Sequence, residues 1–156
     1  MSDKGKFNIR VYGSFINDHH EILLTDEFRF GMHITKFPGG GLQFGEGTVD
    51  CLKREMKEES GRSIHVIRHF YTTDFFQESH FDKSRQILSV YYLAGFTEPP
   101  GSNPGQACRN IKKNEGEQVS FRYADLNTLE TKELSFPIDQ HVLTLLKNEM
   151  HLHGGP

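Results

Sequence analysis

Apolar and polar residues alternate from Phe7 to Ile16 (Phe-Asn-Ile-Arg-Val-Tyr-Gly-Ser-Phe-Ile), the period-two signature of a half-buried strand. Asn17-Asp18-His19-His20 reads as a turn and Glu21 to Thr25 as the returning strand, so the two are expected to pair as a hairpin. His33 to Phe37 is a third short strand, stopped by Pro38. Three glycines follow, Gly39, Gly40 and Gly41, a run that permits backbone geometry and close approach denied to residues with a Cβ. The period then changes. Val49, Leu52 and Met56 fall at i, i+3 and i+7, which predicts a helix from Thr48 to Ser60, with Thr48 as its cap and Gly61 as its C-terminal stop.

Ile64 to Phe76 and Gln86 to Thr97 are rich in β-branched and aromatic residues and flank a polar stretch around Glu78 to Ser84, which predicts a long hairpin. Pro99 to Gln106 reads as a surface loop and Gln118 to Tyr123 as a last short strand. Ser135-Phe136-Pro137 opens a second helix through about Met150, with Ile138, Val142, Leu145 and Leu146 on one stripe. No internal repeat or domain linker interrupts this order. Mostly hairpin-connected strands with two amphipathic helices to cover a sheet predict an α+β layered sandwich around a mixed sheet.

At 156 residues the chain is long enough for one domain to bury a core without disulfides. With 35% hydrophobic and 25% charged residues the composition is that of a globular protein. A formal net charge of -3 with scattered Lys and Arg offers no footprint for nucleic acid or an anionic membrane, and favours a small diffusible substrate. Cys51 and Cys108 stand alone, without the spacing of a disulfide framework or zinc site. The polar start from Met1 to Phe7 lacks the apolar core of a signal peptide, and no uncharged apolar run is long enough to span a bilayer. The expected location is a reducing cytoplasm.

Chemistry concentrates between Gly40 and Arg62. At about 100° per residue, Glu55, Glu58 and Glu59 project within roughly one third of the helix circumference, at the edge of the buried stripe. Like charges at these spacings repel, and a hard divalent cation offsets the repulsion because Mg²⁺ and Mn²⁺ prefer oxygen ligands. An arbitrary acidic helix is by default a solvated face, here with Lys53, Arg54 and Lys57 as neighbours. Three features weigh the other way: the glycine turn upstream, Glu46 at the helix entrance, and Arg54 beside Glu55 as an orienting partner.

Gly40, Glu46, Arg54, Glu55, Met56, Glu58, Glu59 and Gly61 occupy all but the last position of G-x5-E-x7-R-E-U-x-E-E-x-G-U, where U is aliphatic. The chain therefore resembles the Nudix hydrolases, the MutT-like pyrophosphohydrolases. Its departure is Arg62 at the final aliphatic position, where Ile64 is expected to take over the packing. The resemblance implies an α/β/α sandwich with the mixed β-sheet between helices. It also implies Mg²⁺- or Mn²⁺-dependent hydrolysis of a phosphoanhydride in a nucleoside diphosphate linked to another moiety, such as ADP-ribose, a nucleotide sugar or a nucleoside triphosphate. By position, Glu55, Glu58 and Glu59 would be metal ligands helped by the Gly39 carbonyl, with Gly40, Glu46 and Arg54 in support. Family members often take a further carboxylate from a later loop, which here points to Glu115, and secondarily to Glu117. A rival reading is a non-hydrolytic ligand-binding or sensor module, although such modules often lose a glutamate that is present here. Homodimerisation, common among relatives, is a further expectation.

Outside the motif, Arg29, Arg68 and Arg85 are candidate phosphate contacts. Phe70, Tyr71, Phe75 and Phe76 could stack on a base but suit strand-face packing better. His19-His20 and His151-Leu152-His153 read as turn and tail rather than metal ligands. Cys51, with no paired base, reads as packing.

Overall fold

A computed structural model describes residues 5–97, 111–112 and 118–152. The strands are β1 (Lys6–Phe15), β2 (Glu21–Arg29), β3 (Met32–Lys36), β4 (Gly39–Gly41), β5 (Ile64–Thr72), β6 (Arg85–Phe96), β7 (Ile111–Lys112) and β8 (Gln118–Asp125). The helices are α1 (Thr48–Ser60) and α2 (Pro137–Leu152). The strands form two four-stranded sheets, ordered β4-β1-β6-β5 and β3-β2-β8-β7. The pairing of β1 with β6 is parallel and the others are antiparallel, so the first sheet is mixed.

The expected hairpin of the first two strands does not form. β1 and β2 enter different sheets and touch through one isolated bridge, Ile16 to Ile22. Burial explains the split. Val11 to Phe15 are all buried, as are Ile22 to Thr25, so each strand needs cover on both faces, which a two-stranded ribbon cannot give. Asn17 turns the chain: its Oδ1 accepts from the backbone N–H of His19 and of Glu21, both at 3.0 Å, and His20 takes a positive φ of 58°. The β5–β6 hairpin forms as expected, with irregular register near Arg68 and Tyr71.

Neighbouring residues of one strand serve opposite cores. Val11 joins Phe15, Leu52, Met56 and Ala94 under α1, whereas Tyr12 joins Phe37, Tyr91, Val142 and Leu146 under α2. A helix therefore lies on each side of the strands, the α/β/α sandwich. α1 keeps its predicted bounds, but Thr48 is not its cap: Gly47 holds that position with no side-chain hydrogen bond, and the Thr48 hydroxyl meets Tyr92 Oη at 2.6 Å. Gly61 ends the helix at a left-handed φ of 72°. Beyond it, Ile64 is buried in the α1 core, while the Arg62 guanidinium lies 3.6 Å from the Phe96 ring centroid. The aliphatic anchor has thus moved two residues on, and a cation over an aromatic ring fills the motif position.

Arg29 and Met32 are the last pair of the β2–β3 hairpin. Phe30 and Gly31 between them have φ of 50° and 73°, the pattern of a type I′ turn. Asn or Gly is favoured at the first of these positions. A bulky L-residue there costs about 1 kcal/mol or more in backbone strain.

Candidate active site

The glycine run sits where two pieces of chain come too close for side chains. A Cβ on Gly39 (φ 148°) would lie 2.0 Å from the Val11 carbonyl oxygen, and one on Gly40 would lie 2.4 Å from the Glu55 carboxyl carbon. The glycines thus let the helix lay Glu55 directly over β4.

The helix edge above β4 is organised by Arg54. Its Nε and Nη2 donate to the two oxygens of Glu46 at 2.9 and 2.7 Å. Nη1 donates to Glu55 Oε1 at 3.0 Å and to Glu58 Oε2 at 3.1 Å, and Nη2 also reaches the Gly41 carbonyl at 3.0 Å. Glu46 further accepts the Gln43 backbone N–H at 2.8 Å. The Arg54 hydrogen bond, followed by that backbone donor, pulls the Glu46 carboxyl down to about 2. Arg54 is itself held above its ordinary value, foremost by Glu46.

The three helix carboxylates differ in surroundings. Glu58 is 58% exposed at its side chain, Glu55 is mostly covered, and Glu59 is only 2% exposed and contributes to the field that keeps Lys36 charged. Among the described residues no three His, Cys, Asp or Glu side chains form a ready metal cage. The donor set nonetheless fits a hard cation. Arg54 occupies one oxygen each of Glu55 and Glu58, leaving the other oxygens for an ion that takes most of its ligands from water and substrate phosphates. Glu115 and Glu117 lie outside the described residues, as do Cys108 and His153. Cys51 is fully buried, and burial pushes its thiol up to about 12, which leaves it inert as a nucleophile.

A cavity of about 290 Å³ opens on the other face of β1. Its walls include the predicted Arg29 and Arg85, but not Arg68, which pairs with Glu149 on the surface. Arg85 donates to Asp82 Oδ2 and to Asn8 Oδ1, each at 2.9 Å. The sequence reading missed the floor, formed by Arg10, Tyr12, Glu27, Lys36 and Asp139. Arg10 Nε donates to Tyr12 Oη at 2.8 Å, and Tyr12, with Glu27 and Glu55 adding, raises the guanidinium against the effect of burial. Arg10 is paired in register with Gly41, so it stands between the cavity and the carboxylate edge. Burial would discharge Lys36, yet Glu27 at 3.3 Å and then Tyr12 more than reverse this and keep it charged. The Lys36 ammonium, paired with Glu27 and 5.2 Å from the Tyr12 ring centroid, completes no hydrogen bond of good geometry. Asp139 accepts the Tyr91 hydroxyl, while burial raises its carboxyl to about 6. One signal for this floor was present: Asn8, Arg10 and Tyr12 alternate on one face of β1, and Ile34 and Lys36 on one face of β3.

The NUDIX domain model matches residues 6–145. The chain belongs to the Nudix family. Solved structures repeat the Nudix fold at low identity. A NUDIX hydrolase from Nitrosomonas europaea has a TM-score of 0.71 at 16% identity, over 92% of this chain and 90% of that one. The E. coli ORF135 protein has 0.68 at 17%, over 97% and 96%. An ADP-ribose pyrophosphatase from Streptococcus suis has 0.59 at 17%, over 91% and 90%. No curated protein matches this chain. As a Nudix hydrolase it is an enzyme, and among the described residues no helix is long and apolar enough to cross a membrane.

Proposed function

We propose that this Nudix hydrolase cleaves a phosphoanhydride bond in a nucleoside diphosphate linked to another moiety, with Mg²⁺ or Mn²⁺ held by Glu55, Glu58 and Glu59 and the Gly39 carbonyl. The observation that carries this reading is the Arg54 fork, which fixes Glu46, Glu55 and Glu58 beside a glycine strand. When bound, the ion supplies neutralisation of phosphate charge and a more acidic water. The protein's part is positioning and proton transfer. Arg54 and Glu46 keep the carboxylates aimed. Arg10, at the boundary of the cavity, offsets phosphate charge. Water attacks phosphorus, the new P–O bond forms as the anhydride P–O bond breaks, and the proton passes to a glutamate, with Glu58 the exposed member of the cluster and Glu115 a further candidate. No nucleophilic triad is needed. Arg29 and Arg85 face the substrate from the cavity wall. The buried free thiol of Cys51 suits a reducing cytoplasm.

ADP-ribose, nucleotide sugars, NADH, dinucleoside polyphosphates and nucleoside triphosphates, each assayed with Mg²⁺ or Mn²⁺ for released phosphate or pyrophosphate, test the reading. At least one is expected to be turned over, and Glu58→Gln to lower kcat/KM by about a hundredfold or more, since general-base assistance alone is worth that much. Unchanged activity in Glu58→Gln and Glu59→Gln would refute the assigned roles. Tight binding of one compound without turnover would favour a ligand-binding module.

A further inference from the structure

Two rings that the catalytic reading leaves unused meet at the mouth of the cavity. Phe30, at the tip of the β2–β3 hairpin, is 67% exposed, and Phe81, in the loop between β5 and β6, is 46% exposed. Their centroids are 5.2 Å apart at 52°. Both line the cavity, and the Arg29 guanidinium lies 5.0 Å from the Phe30 centroid. Segments 51 residues apart thus build one aromatic and guanidinium surface at the entrance, while the charged residues Arg10, Glu27, Lys36 and Asp139 lie deeper.

Folding does not account for Phe30. Its ring is mostly in water, so it adds little to the core, and its backbone occupies a left-handed turn position that Asn or Gly fills without strain. An unfavourable conformation kept at the rim of a cavity is the kind of local strain found at ligand sites.

We propose that Phe30 and Phe81 form the platform on which the substrate's nucleobase stacks, while its phosphates run inward past Arg10 to the carboxylates over β4. The proposal rests on the hydrolase reading above and deepens it. Polarity decides the orientation: a flat base, whose faces are apolar, suits the aromatic rim, and phosphates meet the Arg10 guanidinium and the Lys36 ammonium only among the deeper polar residues, where the carboxylates Glu27 and Asp139 also lie. Because every base has a π-face, such a platform discriminates weakly, and purines gain over pyrimidines only through larger stacking area. Hydrolysis of derivatives of more than one base follows.

The test is calorimetric titration of the full chain in Mg²⁺ with AMP, GMP and UMP, and with inorganic pyrophosphate as a base-free probe. Phe30→Asn supplies the residue that the turn prefers, so the hairpin should keep its shape without the ring. Its Kd for GMP and AMP is expected to rise about tenfold, with Phe81→Leu moving the same way, Phe30→Trp staying within threefold of the parent, and pyrophosphate binding changing less than twofold in all three. Phe30→Asn should melt no lower than the parent. The platform is overturned if neither Phe30→Asn nor Phe81→Leu shifts the GMP Kd by threefold, if pyrophosphate weakens in parallel, or if the parent binds pyrophosphate but no nucleotide. A changed oligomeric state with unchanged nucleotide affinity would reassign the rings to contact between copies of this chain, also overturning it. Failure here with turnover intact would leave the hydrolase reading standing, while nucleotide binding without turnover would do the reverse.

Discussion

A guanidinium has five N–H donors in a fixed plane, and Arg54 directs five hydrogen bonds at oxygen. Lysine offers a point charge with three rotating donors and cannot reproduce that fork. Arg54→Lys should therefore retain the fold but lose roughly 10- to 100-fold in kcat/KM, the usual penalty for disturbing groups that orient metal ligands, as steady-state kinetics beside a thermal melt would show. The lowered Glu46 carboxyl contributes stability that is present above its ordinary value of 4.5 and lost as pH falls through about 2, so the clamp outlasts mild acid. Asp139 has the opposite sign. Raised from 3.8 to about 6, it is protonated in the native protein while already ionised in the unfolded chain, so native stability falls as pH rises through that window. Asp139→Asn removes this dependence. Relative to the parent it should gain on the order of 2 kcal/mol between pH 4.5 and pH 7.5 in urea titrations, and an equal difference at both pH values would contradict the assignment. The Arg54 pattern was legible because the partners lie within one helix and its entrance. The role of Asp139 was not, since its partner Tyr91 is 48 residues away on another element.

Among the elements, β4 consists of three glycines, of which Gly39 and Gly40 have different obligations. The Cβ of Gly40→Ala would meet the end of a flexible side chain, Glu55, which can swing aside at the expense of its aim. That of Gly39→Ala would meet β1 backbone at a φ which L-residues rarely adopt. Gly40→Ala is expected to cut activity at least tenfold with little change in melting temperature, and Gly39→Ala to destabilise by about 2–4 kcal/mol. A paired thermal-melt and kinetic comparison separates the two, and equal melting temperatures would refute the distinction. α1 was readable to within a residue, its cap falling at Gly47 rather than Thr48, because its apolar stripe and terminal glycine are local features. The β1–β2 hairpin was misread because alternation and a polar turn describe any two strands joined by a short loop. Which sheet each strand enters depends on its cover, and β1 is covered by α1 and α2 together.

For the whole molecule, stability and activity draw on different parts. Both cores are built of apolar side chains, and the carboxylates around Arg54 belong to neither. Chelation with EDTA should abolish turnover yet leave the melting transition nearly unmoved, since an ion that organises no core adds only the linkage of its own binding. A large fall in melting temperature on chelation would show instead that the ion is structural. The cavity belongs to this scale as well. Its walls run from Asn8 to Asp139 and draw on β1, β2, β3, β6, α2 and the loop before β6. Arg29 and Arg85 could be suggested from charge alone, whereas Arg68, equally basic, faces Glu149 on the surface.

The sequence by itself determined α1 and the spacing of Glu46, Arg54, Glu55 and Glu58, because periodicity and short spacings fix which side chains share a helical edge, whereas the glycine run it marked as a turn is strand β4, paired with β1. It also determined that two helices would cover the strands. Only the tertiary structure decided the parallel pairing of β1 with β6, the half-buried charge of Arg10 and the buried one of Lys36, and the meeting of Phe30 with Phe81. Each of these joins residues far apart in the chain, where contact depends on how sheets and loops pack and leaves no local trace.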